Sequence, residues 1–427
     1  MLFSQAMRHR SSRGNVFSWT AVRPLGRERF AKSYIPYGGY WCSPFARWQG
    51  SFANLHTIKF AADVTRKALE ARMISPSSFS NVYLGMTVPA PASFYGAPWL
   101  AGMIGAEGVT GPVFSQACAT SARVIGSAAR AVETEDDASI LCVTADRTSN
   151  GPHLLYPNPA NPGARGDAED WVWDNFNRDP FVGNAMIQTA ENTAKDCNIT
   201  TAEQHEVMLM RYAQYQKALE HDAAFHKKYM SVVEVNPSGK KVVATVTDDE
   251  GVFPSTAEGL AKLKPVLPDG TVTYGGQTYP ADGNAGMIVT TKEKASELSR
   301  DSKIEIQLLS FSEGRAEKGY MPKANAPAAR GALKKAGVDI KDIKAIKTHN
   351  PFAVNDVFLN RELGIPLDKM NNYGSPLIWG HPQGPTGMRL VMEMIEELVL
   401  LGGGYGLFTG CAAGDTAAAI VLEVRAG

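Results

Sequence analysis

Residues 115–126 read SQACATSARVIG, and the rest of the chain is organised around that corner. PVFSQA (112–117) reads as a strand entering a turn, and ATSARVIGSAARAVET (119–134) as a helix of small residues suited to close packing. ASILCVTAD (138–146) is an apolar run of the length and composition of a strand buried on both faces. Cys118 therefore sits where a strand ends and a helix begins. Unpaired N–H groups and the positive end of the helix dipole favour a thiolate there, so a lowered pKa is expected.

Outward from this corner the same grammar appears twice. NLHTIKFAADVTRKALEARM (54–73) has helical apolar spacing, and after a Ser-Pro-Ser-Ser turn NVYLGM (81–86) reads as a strand. In the second half APAARGALKKAGV (326–338) reads as a helix and DIKDIKAIKTH (339–349) as a turn and strand. GMRLVMEMIEELVLLG (387–402) is again a helix, YGLFTGC (405–411) a strand into a turn, and TAAAIVLEV (416–424) a last buried strand. The order helix, turn, strand, polar corner, helix, strand points to a duplicated α/β architecture.

The stretch between the halves differs. GPHLLYPNPANPGARGDAEDW (151–171) is too rich in Pro, Gly and Asn to be one regular element. TAEQHEVMLMRYAQYQKALEHD (201–222) reads as a helix capped by Thr200 or Thr201, with acids in its first turn. Residues 151–281 thus form a large excursion, and excursions from a rigid scaffold often carry a binding surface.

Bulk composition removes several functions. Lys+Arg and Asp+Glu both number 43 in 427 residues, so no net field draws nucleic acid or an anionic membrane. No apolar run approaches the length of a spanning helix. The five cysteines are odd in number, dispersed and free of CxxC pairs, which fits a reducing compartment and implies no metal site. Residues 1–33 hold seven Lys or Arg and one acid, Glu28. That basic extension leaves two expectations, a cytoplasmic protein or a mitochondrial one whose transit peptide is residues 1–33.

Three further corners carry chemistry. His381, in WGHPQGPTGMRL (379–390), is fixed on a stiff Gly-His-Pro turn and is placed to act as base or donor. His349 ends the strand in IKTHNPF (346–352), and Cys411 ends the strand in FTGCAAGDTAA (408–418). Strand ends at one edge of an α/β sheet converge, so Cys, His, His and Cys are expected around one site.

In that order SQACATS, HNPF, GHPQGPTG and GCAAG resemble the motifs of the thiolase family. Weaker likeness runs through GPHLLYP, AMIQTAENTAK, AEGLAKLKPVLPDGTVT and NNYGSPLIWGHP, and covers about Ser33 to the C-terminus. The resemblance implies two mixed sheets with helices in αβαβα layers. It divides the chain into an N-terminal half at 34–150 with a returning strand at 282–300, a loop domain over CoA at 151–281, and a C-terminal half at 301–427. It implies an acyltransferase that cleaves a 3-oxoacyl-CoA with CoA, or runs the reverse Claisen condensation. Cys118 would be the acyl-accepting nucleophile and His381 its base and a donor to the thioester oxygen. Cys411 would be the carbon acid and base, and His349 would position a water in one oxyanion hole. The N–H groups of Cys118 and Ala413 would form the other. Met186, Thr278 and Phe352 would lie near acyl and pantetheine groups. CoA is substrate, with no metal or redox cofactor. A homodimer or tetramer is implied, and an accessory subunit is left open.

This sequence departs from the family's pattern at Asn350 and Pro351, at GGQT (275–278), and at Ala412 and Ala413, where a glycine usually stands. If that last turn needs positive φ, alanine costs about 1 kcal/mol. Tyr373 and Trp379 add bulk before His381. The departures point to an unusual acyl group. They also keep open two other readings: a ketosynthase or hydroxymethylglutaryl-CoA-synthase type of condensing enzyme, and a non-catalytic acyl-CoA-binding subunit.

Overall fold

The computed structural model describes residues 29–427; residues 1–28, most of the basic extension, lie outside the described residues. In the first half Tyr40–Cys42 (β1), Ala46–Arg47 (β2), helix Thr57–Ala71 (α1), Asn81–Gly85 (β3) and Val113–Phe114 (β4) precede helix Thr120–Thr134 (α2) and Ser139–Arg147 (β5). The excursion holds Met186–Asp196 (α3) and Thr201–Ala223 (α4), and the chain returns as Ala281–Thr290 (β6). The second half holds Ile304–Arg315 (β7), Asn325–Ala336 (α5), Ile343–His349 (β8), Ala353–Leu363 (α6), Gly384–Leu400 (α7), Gly404–Ala412 (β9) and Thr416–Ala426 (β10).

The two sheets share one topology. The first runs β1-β6-β5-β3-β4, with β2 on β6; the second runs β7-β10-β9-β8. In each a parallel pair (β3 with β5, β8 with β9) lies beside an antiparallel partner, β6 or β10. β5 and β6 are buried almost throughout, although β6 carries Asp282 and Asn284 among its apolar residues. α2 and α7 pack on each other and on both sheets, α1 covers the outer face of the first, and α5 the outer face of the second. The layers are αβαβα. α7, buried along nearly its whole length, and α2, which buries its apolar and small residues and leaves Arg130 and Thr134 exposed, fit the central layer. PVFSQA yields only a two-residue strand, because the chain must turn at Gln116 to deliver Cys118.

The excursion is braced from within. GPHLLYPNPANPGARGDAEDW folds as a small hairpin, His153–Tyr156 against Asp167–Asp170. Thr200 caps α4 in a reciprocal capping box with Glu203, and the helical geometry breaks at Glu220–Asp222. Arg211 on α4 is fully buried. It donates to Asp356 on α6 at 2.9 Å and to the carbonyls of Leu367 and Met370. Arg389 on α7, also fully buried, grips Asp249 through both terminal nitrogens at 2.7 and 2.9 Å. A buried ion pair of this kind fixes register more than it adds stability. Here it ties the excursion to the central layer. Among the described residues no helix is long and apolar enough to cross a membrane.

Candidate active site

Cys118 lies on a strained turn. Ala117 takes φ 43°, a left-handed geometry that costs a non-glycine residue about 1–3 kcal/mol. Thr120 holds the turn: its hydroxyl accepts from the Gln116 N–H at 2.8 Å and donates to the Ala117 carbonyl at 2.7 Å. The Cys118 thiol donates to Gln383 Oε1 at 3.2 Å, and the N–H groups of Ala413 and of Cys118 itself face the sulfur. Burial pushes the thiol up to about 12 against those two N–H groups. The expected lowering by the helix terminus is therefore corrected. A dipole worth about 1 kcal/mol or less is outweighed by desolvation, and the two nearby imidazoles are neutral. Cys118 is held as a thiol.

His381 is clamped through backbone and ring. Its N–H donates to the Tyr279 carbonyl at 2.8 Å, and Gly380 before it takes φ 86°. A Cβ on Gly380 would stand 2.7 Å from the Tyr279 ring, so only glycine fits. Nδ1 pairs with Thr386 Oγ1 at 2.6 Å. With the proton on Nδ1, Nε2 carries a lone pair and has no partner among the described residues. Burial lowers this imidazole to about 3. His349, at the end of β8, is fully buried and neither ring nitrogen has a partner among the described residues. Burial, then the neighbouring His381, holds it neutral. Asn350 beside it donates to Asp356 at 2.7 Å, and Thr348 donates to the other oxygen of that carboxylate at 2.7 Å. The acid at the HNPF corner is thus supplied by α6, six positions beyond Asn350.

Cys411 closes β9, fully buried, with its sulfur accepting from Asn355 Nδ2 at 3.3 Å. Burial raises this thiol, and the proximity of Cys118 adds to the rise. The following turn corrects the expected strain, since positive φ falls at Gly414 and Asp415 and not at Ala412 or Ala413. The bulk of Trp379 and Tyr373 packs against protein and does not line the cavity beside Cys118. Trp379 is buried edge-on to Phe45 and lies under the Arg389 guanidinium; Tyr373 stacks on Phe225 at 3.9 Å.

A cavity of about 730 Å³ opens from this corner, with Cys118, His381, Gln383 and Ala413 at one end. Met186, Thr278 and Phe352 line it, as do Trp171, Trp173 and Phe181 of the excursion. Its wall is mainly apolar, the form expected of a pocket for an organic acyl group. His349 and Cys411 do not line it and sit behind the first row. The backbone of GGQT holds the HNPF corner in place, with Thr278 N–H donating to the Pro351 carbonyl at 2.8 Å. The Cys118 sulfur and ring nitrogens of His349 and His381 lie within 4.8 Å of one another. A thiophilic cation would fit these three atoms only after the thiol lost its proton.

Four participants escaped the reading of the sequence: Gln383, Asp146, Asn355 and Asp356. Asp146 carried a signal, as a carboxylate closing an apolar strand. It is buried and accepts from the N–H groups of Thr87, Val88 and Gly384, each at 2.8 Å, and from the Thr87 hydroxyl at 2.9 Å. Burial still raises it to about 7.

Two matching α/β halves that close on a thiol and a pair of imidazoles define the thiolase-fold class of protein. Residues 41–293 match the thiolase N-terminal domain and residues 302–424 the thiolase C-terminal domain. The chain belongs to the thiolase family. It is 28% identical to the beta-ketoadipyl-CoA thiolase of Pseudomonas knackmussii, over 89% of this chain and 96% of that one. It is also 28% identical to the acetyl-CoA acetyltransferase of Escherichia coli, over 88% and 95%. The human mitochondrial 3-ketoacyl-CoA thiolase, solved in complex with CoA, superposes with a TM-score of 0.84 at 23% identity, over 92% of this chain and 98% of that chain. At that identity the superposition speaks for the fold alone.

Proposed function

We propose that the protein is a CoA-dependent thiolase that transfers an acyl group through Cys118. One observation carries this reading. A thiol and two neutral imidazoles cluster within 4.8 Å at the end of a largely apolar cavity, and a second thiol stands close enough to feel the first.

In the cleavage direction Nε2 of His381 takes the Cys118 proton, and the sulfur attacks C3 of a 3-oxoacyl-CoA. The C2–C3 bond breaks, leaving its electron pair on C2 as the enolate of the departing CoA thioester, while the shortened acyl group stays on Cys118. The Cys411 thiol protonates C2, and that product departs. The Cys411 thiolate then takes the proton of incoming CoA, whose sulfur displaces Cys118 from the acyl group. His381 returns its proton to Cys118. The N–H groups of Cys118 and Ala413 serve one oxyanion, and His381 with a water held by His349 serves the other. The condensation is the reverse sequence.

Residues 34–150 with 282–300, and 301–427, are read as the catalytic halves; 151–281 is read as the loop domain over CoA, with Met186, Thr278 and Phe352 as its contacts. A homodimer or tetramer is the proposed assembly. The location is read as cytoplasmic, or mitochondrial if residues 1–33 are a transit peptide; the relatives include both mitochondrial and bacterial proteins. The buried Cys411 beside Cys118 favours a thiolase over the ketosynthase type. Intact-mass analysis after exposure to acyl-CoA esters is expected to show an acyl adduct on Cys118. An unmodified Cys118, with full thiolysis in Cys118→Ala, would overturn the proposal.

A further inference from the structure

Gln383 has no part in the mechanism above, yet it is the side chain hydrogen-bonded to the Cys118 sulfur. Its backbone adopts φ 60°, ψ −102°, a conformation foreign to non-glycine residues. That strain is held in place on the next residue. Gly384 N–H donates to Asp146 at 2.8 Å, and the Gly384 carbonyl accepts from the Ser121 hydroxyl. The fold therefore spends backbone energy to point this amide at the nucleophile.

The two ends of the amide are unequal. Oε1 accepts the thiol proton at 3.2 Å, whereas Nε2 has no partner among the described residues although the residue is only 6% exposed. With the Cys118 S–H as donor, the oxygen end of the amide faces the sulfur. The free end belongs to a residue on the cavity wall whose amide also meets the His381 imidazole. A methionine would fill the same volume without stranding a buried donor. The stranded donor is accounted for if a ligand oxygen pairs with it.

We propose that Gln383 is a catalytic residue: at rest it holds the Cys118 proton, and during acyl transfer its N–H₂ donates to the oxygen of the acyl carbonyl bound at Cys118. This rests on the thiolase reading. Ligands recognised in this way carry a carbonyl oxygen on the carbon attached to sulfur, as every acyl thioester does.

The test uses the full chain, a panel of 3-oxoacyl-CoA esters, and two variants. Gln383→Met keeps the volume and removes both polar ends. It is expected to lower kcat about 100-fold, the size of a lost oxyanion donor, with KM nearly unchanged and with an unchanged melting temperature. Gln383→Glu is inert as a donor when ionised but regains one when protonated. Its kcat relative to wild type is expected to rise steadily as pH falls from 8 to 6, which a packing role would not produce. Wild-type kcat in Gln383→Met, or a loss confined to KM, overturns the inference. So does a Gln383→Glu variant that tracks Gln383→Met at every pH. Wild-type protein that neither turns over the panel nor forms an acyl adduct on Cys118 instead removes the thiolase reading, and this inference with it.

Discussion

The imidazole rings of His349 and His381 lie 4.2 Å apart, centroid to centroid, with planes 32° from parallel. One ring ends a strand and the other opens a turn before a helix. Two buried imidazoles this close cannot both be imidazolium cations, since each charge would raise the cost of the other. The pair therefore offers a lone pair, not a charge, to the thiol in front of it.

Replacing His381 removes the proposed base. His381→Asn is expected to lower kcat by about 10²–10⁴-fold. Because burial keeps this imidazole neutral down to about pH 3, the kcat/KM profile of the wild type is expected to show no imidazole limb between pH 6 and 8. A limb near 6.5 that vanishes in the variant would contradict the assignment.

Cys411 separates carbon chemistry from acyl transfer. In Cys411→Ala, cleavage of a 3-oxoacyl-CoA is expected to fall by about 10²-fold or more. Acylation of Cys118 by a simple acyl-CoA breaks no carbon–carbon bond and asks of Cys411 only a proton for the departing CoA thiolate, which solvent can supply, so it should slow far less and the adduct should still accumulate in mass spectra. Loss of both half-reactions would assign Cys411 to Cys118's own activation instead.

Gly380 is the hinge that presents His381. Gly380→Ala places a methyl group 2.7 Å from the Tyr279 ring at φ 86°, and is expected to cost about 1–3 kcal/mol of stability. Denaturant unfolding measures that cost. Thiolysis should fall by a larger factor than the lost folded fraction explains, because His381 moves.

Asp146 gathers four donors beneath the Gln383 turn. Asp146→Asn turns one acceptor into a donor aimed at an N–H or hydroxyl group. The expected loss is about 1–3 kcal/mol, read by thermal unfolding. A variant as stable as wild type would show that the carboxyl is protonated at the assay pH.

His226 is buried, has no partner for either ring nitrogen among the described residues, and is lowered to about 4 by burial and then by Arg389. Unfolding returns it to about 6.5, so the unfolded chain binds the extra proton between pH 6.5 and 4. Its contribution is complete above 6.5 and is lost as pH falls through that window. Asp146 and Asp282, raised by burial to about 7 and 6, act in the opposite direction, with stability lost as pH rises from about 4. The informative quantity is the difference between His226→Phe and wild type. It should grow in the variant's favour by up to about 3 kcal/mol from pH 6.5 to 4. A difference independent of pH would mean the ring is already charged.

Much of the fold was legible because its elements are written locally. The helix at 201–222 announced a cap at Thr200 or Thr201 and acids in its first turn, and Thr200 with Glu203 forms the capping box. Cys118, His349, His381 and Cys411 were legible as corners, because each stands where an apolar run meets small or turn-forming residues. Gln383 and Asn355 were not. An amide inside a helix-start or helix pattern has no periodicity of its own, and only the tertiary fold sets Asn355 on the Cys411 sulfur.

The sequence by itself determined the duplicated α/β order, the four Cys and His corners and the family, since these rest on residue type and spacing along the chain. Only the tertiary structure decided that Cys118 rests as a thiol, that Trp379 belongs to the core and not to a substrate, and that Asp146 braces Gln383. Those depend on how many atoms surround a group and what faces it from distant segments. Desolvation and hydrogen bonding fall off within a few ångströms of space, and distance along the chain does not report that.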